Sequence, residues 1–128
     1  DLTKLMTLVG HGDLLSLRSR DRLLAIMRQT VTNTLLPQGL GAGATIAHKT
    51  GDIGSAVGDT GLIDMPNGQR YVATVIVKRP HNDPRAQELI RQISRLLYYH
   101  QSQPLLNPQP TAVGPSPSPA SAATDNQP

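Results

Sequence analysis

Three short apolar runs follow one another between Thr45 and Val77, and the last two are joined by Asn67-Gly68. That dipeptide tolerates the positive φ angles of a tight hairpin turn and is the strongest short-range hairpin signal a sequence offers. Thr45 to Thr50 reads as one strand. Gly58 to Met65 reads as the next, with Gly54 to Gly58 as a loose connection. Tyr71 to Val77 (YVATVIV) is rich in β-branched residues and almost continuously apolar, the pattern of a central strand covered on both faces. The fold class expected is α/β of the α+β type: an antiparallel sheet of three strands with helices packed on it.

Helical periodicity flanks this meander. Leu2, Leu5, Met6 and Val9 share one face of a first helix, with Gly10 as its expected stop. Ser19 is the expected N-cap of a second helix, and Asp21 suits the positive end of its dipole. Leu23, Leu24, Met27 and Val31 form its apolar stripe, and Arg20, Arg22 and Arg28 are left for the wet side. Leu35-Leu36-Pro37 and the glycines from Gly39 to Gly43 read as a turn-rich connection. A third helix begins at Asp83-Pro84, with Asp83 as N-cap and Pro84 at the first helical position. Ala86, Leu89, Ile90, Ile93, Leu96 and Leu97 give it a stripe that should lie flat on the sheet.

Composition narrows the function classes. The chain has no Phe and no Trp, so its core is aliphatic, with Met6, Met27 and Met65 as gap fillers. From Gln103 onward there are seven of the eleven prolines and one charged residue, which reads as a disordered Pro/Ser/Ala-rich tail over 103–128. Net charge is +3, but the cations are scattered and there are three Tyr, so no nucleic-acid partner is expected. Zero Cys excludes disulfides and thiolate metal sites. His11, His81 and His100 show no ligand spacing, so neither a metal nor another cofactor is expected. No apolar run reaches the 18 residues of a membrane span.

The chemistry sits in Ala44 to Gly54, ATIAHKTGDIG. A lysine on a strand, followed by a hydroxyl and then by no side chain, makes a good anion clamp. The ammonium brings charge, Thr50 brings a hydrogen bond, and Gly51 lets a ligand approach the strand without meeting a Cβ. Taken alone, the triplet describes a solvent-facing lysine before a turn better than it describes a clamp.

Its surroundings favour the clamp. Lys-Thr-Gly belongs to the motif set of class A β-lactamases and penicillin-binding proteins. From Asp1 to about Gln101 the chain resembles the C-terminal portion of that active-site-serine family. DLTKLMTLV resembles the helix ending the family's helical lobe, SRDRLLAIMRQT the next helix, and AHKTGDIG the Lys-Thr-Gly strand. GDTGLIDMPNGQRYVATVIV resembles the following hairpin and DPRAQELIRQISRLLYYH the C-terminal helix. The resemblance implies an incomplete β-lactamase/transpeptidase-like fold: residues 1–40 end the helical lobe, and 41–102 carry the three strands and the last helix. It also implies a serine nucleophile that opens a β-lactam, or attacks acyl-D-Ala-D-Ala, through an acyl-enzyme. On the matching positions, Lys49 would attract the substrate carboxylate, Thr50 would hydrogen-bond it and Gly51 would leave room for it. The backbone N–H of Asp52 would be one of two oxyanion-hole donors. The setting implied is periplasmic or secreted.

Other parts of the motif set are absent. No Ser-x-x-Lys and no Ser-Asp-Asn occurs, and Thr124-Asp125-Asn126 matches the latter only superficially. The nucleophile, its lysine and the water-activating carboxylate are expected upstream of Asp1, on an N-terminal lobe acting as a separate chain or a missing part, and this chain alone is expected to be inactive. The sheet would then be completed beside Tyr71 to Val77 by two further strands. Glu88, the one glutamate, reads as a solvated charge near Arg91 or Arg85. Val57 occupies a stretch where related sequences often carry a second carboxylate-binding arginine. His48 should point to the sheet face opposite Lys49 and serve packing or hydrogen bonding, and Asp59 should give structural support. Tyr98 and Tyr99 should finish the last helix against the sheet or its rim. A D-Ala-D-Ala carboxypeptidase-like enzyme part, or a non-catalytic binding module of the same fold, are the alternatives.

Overall fold

A computed structural model describes residues 1–104; the expected tail lies almost wholly outside the described residues. The order is α1 (Leu2–His11), α2 (Leu17–Arg28), a 3-10 turn (Leu36–Gly39), β1 (Thr45–Asp52), β2 (Ala56–Asp64), β3 (Arg70–Lys78) and α3 (Arg85–Ser102). The strands form one antiparallel sheet in the order β1-β2-β3. Strand alternation gives that sheet two apolar faces. On one, Ala47, Leu62 and Val72 pack under Met6, Val9 and Leu24 of α1 and α2. On the other, Val57, Ile63 and Ala73 pack with Leu35, Leu36, Ala86 and Ile90, from the 3-10 turn and α3.

Among the described residues β2 lies between β1 and β3, the order that the expected meander requires. An interior position comes from pairing on both sides, and β3 pairs only with β2 among the described residues. Ile76 of β3 is exposed, on the part of the α1 face where the glycines Gly51 and Gly58 leave a groove. The β2–β3 turn is a three-residue loop, Pro66-Asn67-Gly68. Gly68 N–H donates to the Met65 carbonyl at 3.0 Å, and Met65 N–H donates to Gln69 at 2.8 Å. Gly68 takes φ +84, the left-handed residue that lets the loop rejoin the ladder.

Several helix boundaries fall elsewhere than the sequence predicts. Gly10 does not stop α1: it lies inside the helix, buried, where a Cβ would come within 3.1 Å of Leu62. Gly12, at φ 88, is the cap, and its N–H donates to the carbonyls of Leu8 and Val9. The N-cap of α2 is Ser16, whose Oγ accepts the Ser19 N–H at 3.3 Å. Asp21 therefore lies past the first turn, paired with Arg20 at 2.9 Å. Val31 follows the helix end and is 92% exposed, so the stripe of α2 is Leu24 with Leu23 and Met27. At α3, Pro84 occupies the cap position, one residue after the expected one. Asp83 still caps in substance, since its carboxylate accepts the Arg85 N–H at 2.9 Å. The buried stripe of α3 runs Ala86, Ile90, Ser94, with Leu97 beside it; Leu89 and Leu96 are exposed. Tyr98 packs on the core, and Tyr99 is exposed.

Candidate active-site rim on the open edge of β1

The register of β1 against β2 decides which backbone groups are free. Ile53 N–H donates to Ala56 O at 3.0 Å, closing the ladder. In an antiparallel pair, bonded and non-bonded positions alternate. Gly51–Gly58 and Lys49–Thr60 are therefore bonded positions, and Asp52–Val57, Thr50–Asp59 and His48–Gly61 are not. The N–H and C=O groups of His48, Thr50 and Asp52 point away from β2, towards the open edge. Two contacts fit this direction. Thr30 Oγ1 donates to the His48 carbonyl at 2.8 Å, and the Lys49 ammonium rests on the Thr50 carbonyl.

Alternation separates the side chains of the triplet. Lys49 and Gly51 share the face of Ala47, under α1. With Gly58, Thr60, Ile76 and Leu2 they line an apolar groove of about 280 Å³. Thr50 and Asp52 share the opposite face with His48. The triplet therefore comes together only at the strand edge, where the ammonium folds over the backbone of the next residue. Lys49 is exposed and enters no ion pair among the described residues. Gly51 is exposed too, and a Cβ built on it would meet nothing within 4 Å. The fold itself makes no demand for glycine there.

The Asp52 N–H faces the open edge while its carboxylate is held back. The carboxylate accepts the Gly54 N–H at 2.9 Å and Arg79 Nη2 at 2.6 Å. The Gly54 N–H and the guanidinium hold this carboxyl below the usual carboxylate range. Sequence reasoning missed Arg79. Its side chain is 3% exposed, with Nε donating to Gly54 O at 2.9 Å and Nη1 to Asp83 O at 3.2 Å. A signal was present: Arg79 continues the i, i+2 series of Val75 and Val77 on the α3 face, where a charge needs partners.

Beneath the triplet lies a buried polar pair. His48 is 1% exposed, and its Nδ1 donates to the Asp59 carboxylate at 3.0 Å. Asp59, 2% exposed, also accepts the Leu36 N–H at 3.2 Å. Both residues therefore tie β1 and β2 to the 3-10 turn, the structural roles expected of them. Val57 is buried in the apolar core and puts no cation near the edge. Glu88 bonds Arg95 at 2.7 Å and Arg91 at 3.2 Å, while Arg85 pairs with Asp83 instead. No group of three metal-ligating side chains comes together among the described residues.

Comparison with known proteins extends these observations. PBP-A, a solved structure, is 70% identical with a TM-score of 0.77; the match covers 78% of this chain and 38% of that one. A β-lactamase from Chitinophaga pinensis is 30% identical with a TM-score of 0.67, covering 77% of this chain and 40% of its own. The TLA-3 extended-spectrum β-lactamase is 26% identical with a TM-score of 0.71, over 79% and 40%. This chain thus spans about two fifths of the length of the solved relatives it matches. No curated protein matches it. A family model described as the β-lactamase enzyme family matches residues 1–101, the stretch that carries both helical faces, the whole sheet and the Lys-Thr-Gly edge, and the chain belongs to that family.

Proposed function

We propose that this chain forms one wall of a β-lactam-acylated serine hydrolase whose nucleophile is supplied by residues outside it. Lys49 and Thr50 hold the substrate carboxylate, Gly51 admits the ligand to the strand edge, and the Asp52 N–H is one of two oxyanion donors. The observation that carries this reading is the open edge of β1, where an ion-pair-free ammonium and an outward-turned N–H flank a glycine the fold does not need. The relative at 70% identity supports it, since a variant of that protein has been solved as an acyl-enzyme complex with penicillin G.

The chemistry follows from where charge develops. A serine oxygen attacks the β-lactam carbonyl, its proton passing to a base outside this chain. The carbonyl oxygen becomes an oxyanion, and the ring C–N bond then breaks to leave an acyl-enzyme. An N–H fixed towards that oxygen does little in the ground state and most in the transition state, typically contributing about 3–4 kcal/mol. Lys49 and Thr50 act on the remote carboxylate and set orientation. The setting inferred from the family is periplasmic or secreted; no helix of the described residues is long and apolar enough to cross a membrane.

Joining this chain to its upstream part and adding a fluorescent penicillin tests the reading. The expected label lies on an upstream serine. Lys49→Ala should slow labelling by about tenfold to a hundredfold, the worth of one charge-assisted contact. Gly51→Ala should keep the melting temperature and still slow labelling. Labelling indifferent to both substitutions, or no labelling of a folded complex, sinks the proposal; the second result favours a non-catalytic binding module. Nitrocefin turnover separates a β-lactamase from a D-Ala-D-Ala peptidase, which would stop at a long-lived acyl-enzyme.

A further inference from the structure

The hairpin that carries the Asp52 N–H is fastened to the adjoining end of β3 by a buried side chain. Arg79 is the residue immediately after β3. Its backbone N–H donates to Ser55 O at 2.8 Å, extending the β2–β3 ladder into the β1–β2 turn. Its guanidinium then reaches back along that turn to Gly54 O and the Asp52 carboxylate, and forward to Asp83 O ahead of α3. Asn82, at φ 55, adds its own N–H to Gly54 O at 3.0 Å. Gly54, at φ +80, has no room for a Cβ, which would fall 2.5 Å from His81 Cε1. The turn from Asp52 to Ser55 is therefore pinned on several sides to the segment from Arg79 to Asp83.

We propose that Arg79, acting through the Asp52 carboxylate, is a positioning residue of the acylation step that fixes the direction of the Asp52 N–H. This rests on the oxyanion role given to that N–H above. A guanidinium suits the task because its donors form a rigid planar fork that can serve three acceptors at once; a lysine ammonium has no such geometry. The carboxylate and the N–H belong to the same residue, one on the α3 face and the other at the strand edge. Fixing the first restrains rotation of the peptide plane bearing the second. The pairing also gives a carboxylate beside an anion clamp a cation of its own, leaving Lys49 free for substrate.

The inference separates from the general reading because it predicts a loss in the rate constant of acylation and none in prior binding. Two measurements test it. In this chain alone, Asp52→Ala removes the acceptor of the Gly54 N–H, and amide hydrogen exchange of Gly54 should quicken at least tenfold. Unchanged exchange overturns the proposal whatever the enzyme assay gives. In the chain joined to its upstream part, saturation kinetics of penicillin labelling separate the dissociation constant from the acylation rate constant. Asp52→Ala and Arg79→Ala should each lower the rate constant at least tenfold with the dissociation constant within twofold. Arg79→Lys should lie between, and Arg85→Ala, on an exposed pair, should match the parent. Asp52 is far more exposed than Arg79, so Asp52→Ala, which leaves the guanidinium its bonds to Gly54 O and Asp83 O, disturbs the core less than loss of Arg79. Labelling that responds to Lys49→Ala but not to Asp52→Ala overturns this inference and spares the proposed function. Absence of labelling in the parent overturns both.

Discussion

Tyr71, near the start of β3, and Arg79, just past its end, are polar side chains with opposite surroundings. Arg79 finds acceptors on Asp52, Gly54 and Asp83. The Tyr71 hydroxyl is buried without a partner among the described residues, and burial together with the Tyr98 phenol pushes its ionisation up to about 12. A buried hydroxyl with no hydrogen bond costs about 1–3 kcal/mol relative to one left in water. Tyr71→Phe should therefore raise stability by about 1 kcal/mol, read as a higher urea midpoint at constant m; a lower midpoint would refute the assignment. The residues proposed as the clamp were legible from the sequence because Lys-Thr-Gly is contiguous and carried by a strand. Arg79 was not, because its partner Asp52 lies 27 residues away. The i, i+2 series of β3 marks Arg79 as a charge that needs partners, but nothing in the neighbouring residues names a partner that distant.

Elements were legible as types more than as neighbours. Every strand and helix that periodicity suggested exists, since alternation and the helical repeat are local properties of the chain. Caps were misplaced by one to three residues, because Ser16 and Ser19, or Gly10 and Gly12, satisfy the same local rule and packing chooses between them. The choice at Gly10 fell to Leu62, which lies against it. The α3 stripe was misjudged for a related reason. Leu96 fits the apolar repeat but is 69% exposed, while Ser94 is buried and donates to Leu36 O at 2.7 Å. There the helix crosses the 3-10 turn so closely that a Cβ on Gly39 would fall 2.4 Å from Ser94 Cβ and 2.6 Å from the Arg95 nitrogen. Gly39→Ala should accordingly destabilise by about 1–3 kcal/mol, the range for overpacking, while Leu96→Ala stays within about 0.5 kcal/mol. Urea unfolding of both variants checks this, and equal effects would contradict the close crossing.

At the scale of the whole molecule, four carboxylates paired with arginines are held below their usual range, and one of them, Asp64, joins α2 to the sheet through Arg28. Arg85, through its side chain and its N–H, draws Asp83 down to about 2. Asp52 is lowered by Gly54 and Arg79, and Glu88 by Arg95 and Arg91. At Asp64 burial works upward, but Arg70 and Arg28 outweigh it. Each group has a folded-state value below its unfolded one, so its contribution is present above the unfolded value and is lost as pH falls through the folded one. The melting temperature should thus fall as pH is lowered from about 4 towards 2, and Asp83→Asn should flatten that decline; a profile level to pH 2 would exclude these pairs as stabilising. The sequence by itself determined the three strands, the helices and the Lys-Thr-Gly edge, because each is written in neighbouring residues. Only the tertiary structure decided which backbone groups of β1 turn to the open edge, which helices cover each face of the sheet, and that Arg79 holds Asp52. Those outcomes depend on which distant segments come into register, and register is an energy of the assembled sheet rather than of any one stretch within it.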